Sequence, residues 1–243
     1  MPTFSDGELG IDVASNLLRD IADHLQFIIF DCDGVLIDSN NLKTDAFRKT
    51  LDAYPSEMVD NFVVYHEREG GVSRYVKLGK FVADLDIPDA AKPDLIRELL
   101  ERFSGCCRAL YAEAELTPGC QEVLARLSGR YNLYVASGSD EQELRDVFAL
   151  RGLDGFFQDI FGSPKTKSQC VGEVMKMWPD GRGMFVGDAR SDFNAARDAG
   201  LSFVFMRRFS QAKALESEFV KCGAEVIETL CELEHLIDLE AAP

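Results

Sequence analysis

Positive charge is scarce in this 243-residue chain: 26 Lys and Arg stand against 42 Asp and Glu, a net charge of -16. Such a field repels phosphate backbones and anionic lipid, and no local basic patch is large enough to overcome it, so no nucleic-acid and no membrane partner is expected. No run approaches the ~20 apolar residues that a membrane span requires. Histidine is rarer still, and His24, His66 and His235 are too dispersed to form a metal motif. The cysteines, an odd count of 7, contain no C-x-x-C spacing. A zinc site and a disulfide framework are thereby excluded, and reduced thiols in a cytoplasmic setting fit best. The acidic stretch Met1 to Gly10 has neither a basic nor an apolar region, so it does not read as a secretory signal. Repeats and low-complexity tracts are absent.

What is present is an ordinary globular composition, 46% hydrophobic and 28% charged. At ~100–200 residues per domain, the chain is one large domain or a core carrying a smaller one. Ile11, Val13, Leu17, Leu18, Ile21 and Leu25 recur at mostly helical spacing and predict an amphipathic helix ahead of the first strand. Phe27-Ile28-Ile29-Phe30 is a short, wholly apolar run ended by Asp31, which reads as a strand buried on both faces. Similar runs at Tyr131 to Ala136, Met184 to Val186 and Leu201 to Met206 end in small, acidic or basic residues. Strands alternating with helical stretches predict an α/β fold with a doubly wound parallel sheet, whose ligand sits beyond the carboxyl ends of the strands.

Between Ser39 and Leu116 the pattern changes. Apolar residues recur at helical spacing, no strand-like run occurs, and Pro55, Pro88 and Pro93 punctuate the segment. Residues 39–116 therefore read as an inserted α-helical domain, with 1–38 and 117–243 forming the core. Pro118-Gly119 marks the return, with Thr117 as a helix N-cap. Trp178, Met175 and Met177 read as packing of a core helix, and the segment from Ser210 to Pro243 as a closing helix and strand.

Asp31-Cys32-Asp33-Gly34-Val35 places two carboxylates two residues apart where an extended run ends, so both can face one site. Like charges this close raise one pKa unless a cation intervenes. Three more features follow in chain order: Ser137-Gly138-Ser139, then Lys165 or Lys167 after Gly162-Ser163-Pro164, then Gly187-Asp188-Ala189-Arg190-Ser191-Asp192.

From about Phe27 to Arg208 this ordered set resembles the four motifs of the haloacid dehalogenase-like hydrolase superfamily, with a Rossmann-like core. The resemblance implies that Asp31 is the nucleophile, forming an aspartyl-phosphate that water cleaves, and that Asp33 is the general acid and base, a role that needs a raised pKa. The second aspartate speaks against a dehalogenase, since a halide leaves without a proton. Ser137, with the backbone amides around Gly138, is implied to cradle the phosphoryl group at a helix start. Lys165 and Lys167 compete for the charge-neutralising lysine; the Ser-Pro-x-x-Lys spacing favours Lys167. Asp31, Asp188 and the backbone carbonyl of Asp33 are implied Mg²⁺ ligands, with Asp192 orienting waters or the lysine or serving as a helix N-terminal acid.

The inserted segment resembles the helical cap of the superfamily's C1 class, a lid over small soluble substrates. In it, Gly70-Gly71-Val72-Ser73-Arg74-Tyr75 reads either as a plain turn or as a specificity loop in which Arg74 or Lys77 meets the leaving group. This stretch also resembles a branch that accompanies bacterial surface-polysaccharide and nucleotide-sugar pathways. The expectation is a Mg²⁺-dependent phosphatase acting on a small phosphorylated metabolite, a sugar or polyol phosphate. A phosphomutase of the β-phosphoglucomutase type and a non-catalytic phospho-ligand-binding module are the alternatives.

Overall fold

A computed structural model describes residues 25–240; the expected helix over 11–25 lies outside them except for its last residue. Six parallel strands make one sheet: β1 (Leu25–Phe30), β2 (Asn132–Asp140), β3 (Asp159–Ser163), β4 (Arg182–Gly187), β5 (Ser202–Met206) and β6 (Glu225–Ile227). Their order is β3-β2-β1-β4-β5-β6. The chain builds outward from β1 on one side and then crosses to β4 on the other. Residues following β1 and β4 thus meet at the switch point of the sheet.

The alternation of side chains explains why these apolar runs are strands buried on both faces. Ile28 and Phe30 join Leu133, Val135, Met184, Val186, Val204 and Met206 in one core cluster. Phe27 and Ile29 join Tyr134, Ala136, Phe185, Phe203 and Phe205 in a second, on the opposite face. Each residue steps from one layer to the other, and Phe27 to Phe30 are wholly buried. Trp178 stacks on Phe27 and donates to the Tyr134 hydroxyl at 2.9 Å, as packing requires, whereas Met177 is 49% exposed and lies off the core.

Four α-helices lie within residues 39–116: α1 (Asn40–Thr50), α2 (Ser56–Arg68), α3 (Arg74–Ala83) and α4 (Lys92–Glu113). Pro55 precedes the first residue of α2, and Pro93 sits in the first turn of α4, where its missing N–H costs nothing. The core supplies α5 (Cys120–Ser128), α6 (Glu141–Arg151), α7 (Lys167–Met177), α8 (Arg190–Asp198), α9 (Glu216–Lys221) and α10 (Leu230–Glu240). Thr117 is not a helix cap. Gly119 occupies that position at φ +78°, and the Thr117 hydroxyl instead donates to the Val35 carbonyl at 2.6 Å, tying the returning chain to the loop after the first aspartates.

Candidate active site

The carboxyl ends of β1 to β4 deliver their polar residues to one buried cluster. Asp31 follows β1, and its amide donates to the Val186 carbonyl of β4 at 2.9 Å, so the first aspartate is fixed by the sheet ladder itself. Lys167 opens α7, oriented by the Thr166–Gln169 capping box. Its ammonium lies 2.8 Å from both Asp31 Oδ1 and Asp192 Oδ1, with the lysine side chain 4% exposed. Lys165 lies outside this cluster, 2.8 Å from Glu141 and 38% exposed. A lysine in a first helical turn opposes the dipole; here the two carboxylates overcome both that and burial and raise its pKa.

Asp192 does two jobs at once. Its Oδ2 accepts from the amides of Asp188 and Ala189, each at 3.0 Å, while Oδ1 faces Lys167. The helix-terminal acid and the lysine-orienting acid are therefore one group. Asp188 Oδ2 accepts from Asn40 Nδ2 at 2.7 Å. One oxygen each of Asp31, Asp188 and Asp192 lies within 4.8 Å of the others. Three buried carboxylates share one lysine. Burial pushes Asp31 up to about 7 against the pull of Lys167, and burial with Asp31 and Asp192 pushes Asp188 up as well. The cluster is short of positive charge, and its oxygen donors are those a hard divalent cation takes.

Asp33 contradicts the expectation of a raised pKa. Burial does raise it, but the Lys43 ammonium on Oδ2, and the hydroxyls of Ser39 and Tyr111 on Oδ1, outweigh that and hold the carboxyl well below the usual carboxylate range. Tyr111 donates at 2.6 Å and Ser139 donates to Oδ2 at 3.0 Å, so four partners saturate this side chain. No oxygen of the Asp33 side chain is left for a metal. Lys43 and Tyr111 belong to the inserted helices, and sequence reasoning missed both. Lys43, one helical turn past Ser39, could have been found by periodicity; Tyr111, 78 residues from its partner, could not.

The Ser137 motif also departs from expectation. Strand β2 runs on to Asp140, and it is Asp140 whose side chain accepts the Gln142 and Glu143 amides, both at 3.1 Å, as N-cap of α6. Ser137 therefore lies on the strand, not at the helix start. It is wholly buried and accepts from the Ser139 amide at 3.2 Å. At Gly138 the core meets the insertion: a Cβ there would lie 2.2 Å from the Gly71 carbonyl oxygen. Gly71 has φ +74° and would itself press a Cβ onto Ser191, whose hydroxyl donates to the Gly70 carbonyl at 3.0 Å. The turn at Gly70-Gly71 is thus also a contact between insertion and core.

Arg74 lines the cavity between insertion and core, and its guanidinium is engaged within the chain. Its NH1 donates to Glu143 Oε1 at 2.9 Å and to Ser104 at 3.0 Å, and NH2 lies 2.7 Å from Glu143 Oε2. Beside it Tyr75 donates to Asp140 at 2.7 Å. The arginine expected to bind substrate clasps the inserted helices to α6. Between insertion and core lies a cavity lined by Asp31, Asp33, Lys43, His66, Lys77 and Asp188, among others.

A family model for haloacid dehalogenase-like hydrolases matches residues 25–200, and the chain belongs to that family. It is therefore an enzyme of the hydrolase class. Among its relatives is a β-phosphoglucomutase of Mycobacterium bovis, 27% identical over 254 residues that cover 91% of this chain and 96% of that protein. A phosphoglycolate phosphatase of Synechococcus elongatus is 24% identical over 219 residues, covering 86% and 99%. The solved structure of CbbY from Rhodobacter sphaeroides, in complex with phosphate, has the same fold, with TM-score 0.65, 21% identity and coverage of 88% and 99%. Among the described residues no helix is long and apolar enough to cross a membrane.

Proposed function

We propose that this chain is a Mg²⁺-dependent phosphatase that hydrolyses a small phosphorylated metabolite, a sugar or polyol phosphate, through an aspartyl-phosphate. The observation that carries the reading is Lys167 bridging Asp31 and Asp192 at 2.8 Å beside Asp188. In it Asp31 attacks phosphorus and the bond to the leaving oxygen breaks; water then cleaves the phosphoryl group from Asp31. Asp33, held ionised, is the base for that water once one of its four partners moves aside, and the proton for the leaving oxygen comes from Lys43 or Tyr111, the donors that face it. Ser137 and the amides around Gly138 hold the phosphoryl oxygens, and Lys167 balances their charge.

Asp31, Asp188 and the backbone carbonyl of Asp33 would hold Mg²⁺, which offsets the negative charge of nucleophile and phosphoryl group. In this reading residues 39–116 are the cap, and the described residues on either side of it, 25–38 and 117–240, are the core. The seven cysteines are all free, which suits a reducing cytoplasm. The test is phosphate release from a panel of phosphorylated metabolites with Mg²⁺, repeated after chelation and with Asp31→Asn. No release from any member, or undiminished release without divalent cation, overturns the reading. The β-phosphoglucomutase among the relatives favours a second reading, a phosphomutase, which would yield isomerised sugar phosphate with little free phosphate.

A further inference from the structure

Lys77 and His66 line the cavity between cap and core, yet nothing in the proposed reaction uses them. Lys77 is 2% exposed and His66 is 6% exposed. The Lys77 ammonium lies 2.8 Å from His66 Nδ1 and donates to the His66 carbonyl at 3.1 Å. Neither partner carries negative charge. Glu69 and Asp33 act on Lys77 only at a distance, Lys43 opposes them, and Glu67, which lines the same cavity, makes no bond to it. Because an ammonium can only donate, His66 Nδ1 is the acceptor, and the ring proton sits on Nε2. That atom is buried and has no partner among the described residues.

The cap side of the cavity thus offers a spare ammonium proton and one uncompensated positive charge. Burying such groups without a counter-ion is costly. A neutral hydroxyl would satisfy a donor but leave the charge. A phosphate dianion would call for more charge and more donors, and the nearby guanidinium fork of Arg74 is already taken by Glu143. A single carboxylate matches in charge.

We propose that the alcohol released by this enzyme bears a carboxylate, seated on Lys77 Nζ, so that the substrate is the phosphate ester of a sugar acid or polyol acid. This rests on the phosphatase reading of the same cavity. Burial and Lys43 pull the Lys77 pKa down to about 7, and a bound carboxylate would restore its charge.

The test uses matched substrates that differ by one carboxylate: 6-phosphogluconate against sorbitol 6-phosphate, and 3-phosphoglycerate against glycerol 3-phosphate. With Mg²⁺, the wild-type chain should favour the acid of at least one pair by about tenfold or more in kcat/KM, the strength of a charge-assisted hydrogen bond. Lys77→Met should bring that ratio close to one. A merely structural role for Lys77 would lower both members together and leave the ratio in place, which overturns the proposal. Should Lys77→Met fail to fold, the wild-type ratio still decides: preference for the neutral member of both pairs overturns it. So does preference for fructose 1,6-bisphosphate over both acids. Absence of turnover on every member, p-nitrophenyl phosphate included, would instead remove the phosphatase reading beneath it.

Discussion

Arg74 of the inserted helices grips Glu143 of the core through two contacts, NH1 to Oε1 at 2.9 Å and NH2 to Oε2 at 2.7 Å, with the side chains only 3% and 13% exposed. Exposed pairs of this kind contribute little, but a buried fork is different: removing one partner leaves the other charged and desolvated. Glu143→Leu should therefore destabilise the fold by about 3 kcal/mol. Adding Arg74→Leu should recover more than half of that, because no orphaned charge remains. Urea unfolding of wild type, both single variants and the double variant measures the coupling. Additive losses would mean that the fork is incidental.

The two candidate lysines separate cleanly. Lys167 is buried between Asp31 and Asp192, whereas Lys165 pairs with Glu141 near the surface. Lys167→Ala removes the cation beside the proposed nucleophile and should lower kcat by about a hundredfold or more, the scale of a lost transition-state contact. Lys165→Ala should stay within about threefold, since a half-exposed ion pair is worth under ~1 kcal/mol. Steady-state kinetics on any accepted phosphate ester checks both. Equal small losses would detach Lys167 from the chemistry.

Tyr111 makes a similar case from the inserted segment. Its hydroxyl donates to Asp33 Oδ1 at 2.6 Å and lies 3.0 Å from Ser139 Oγ. Tyr111→Phe deletes one oxygen and keeps the ring. It should reduce kcat by about three- to tenfold, the value of one buried hydrogen bond. KM should change less than kcat, because the group contacts Asp33 rather than lining the phosphoryl cradle.

The β1, β2, β4 and β5 runs were legible because a strand buried on both faces is written as an uninterrupted apolar run. So were Asp31, Lys167, Asp188 and Asp192 as a set, since strand ends bring them to one edge. Strand β6, Glu225-Val226-Ile227, is too short and too mixed to show the pattern. The partners of Asp33 were hidden for a different reason. Two adjacent carboxylates do raise a pKa when alone, but Lys43 and Tyr111 arrive from helices whose packing no local spacing reveals, and they reverse the sign. Arg74 likewise reads as a ligand from its neighbours in sequence and as a clasp only once α6 is placed against it.

The Lys77 site gives the pH dependence its sign. Burial and the neighbouring Lys43 lower the lysine's folded-state pKa from 10.5 to about 7, while Glu69 and Asp33 act weakly the other way and His66 holds it without adding charge. Below pH 7 folded and unfolded chains both keep the proton, so this group leaves stability flat. Between pH 7 and 10.5 the unfolded chain binds more protons, and stability attributable to Lys77 rises with pH. From pH 7 to pH 9 the gain is about 2 kcal/mol. Ionising thiols and a net charge of -16 act on every variant alike, so the quantity to measure is the unfolding free energy of wild type minus that of Lys77→Met. That difference should climb by about 2 kcal/mol between the two pH values. A flat difference would mean that Lys77 keeps an ordinary pKa, and hence that a counter-charge within the chain already neutralises it.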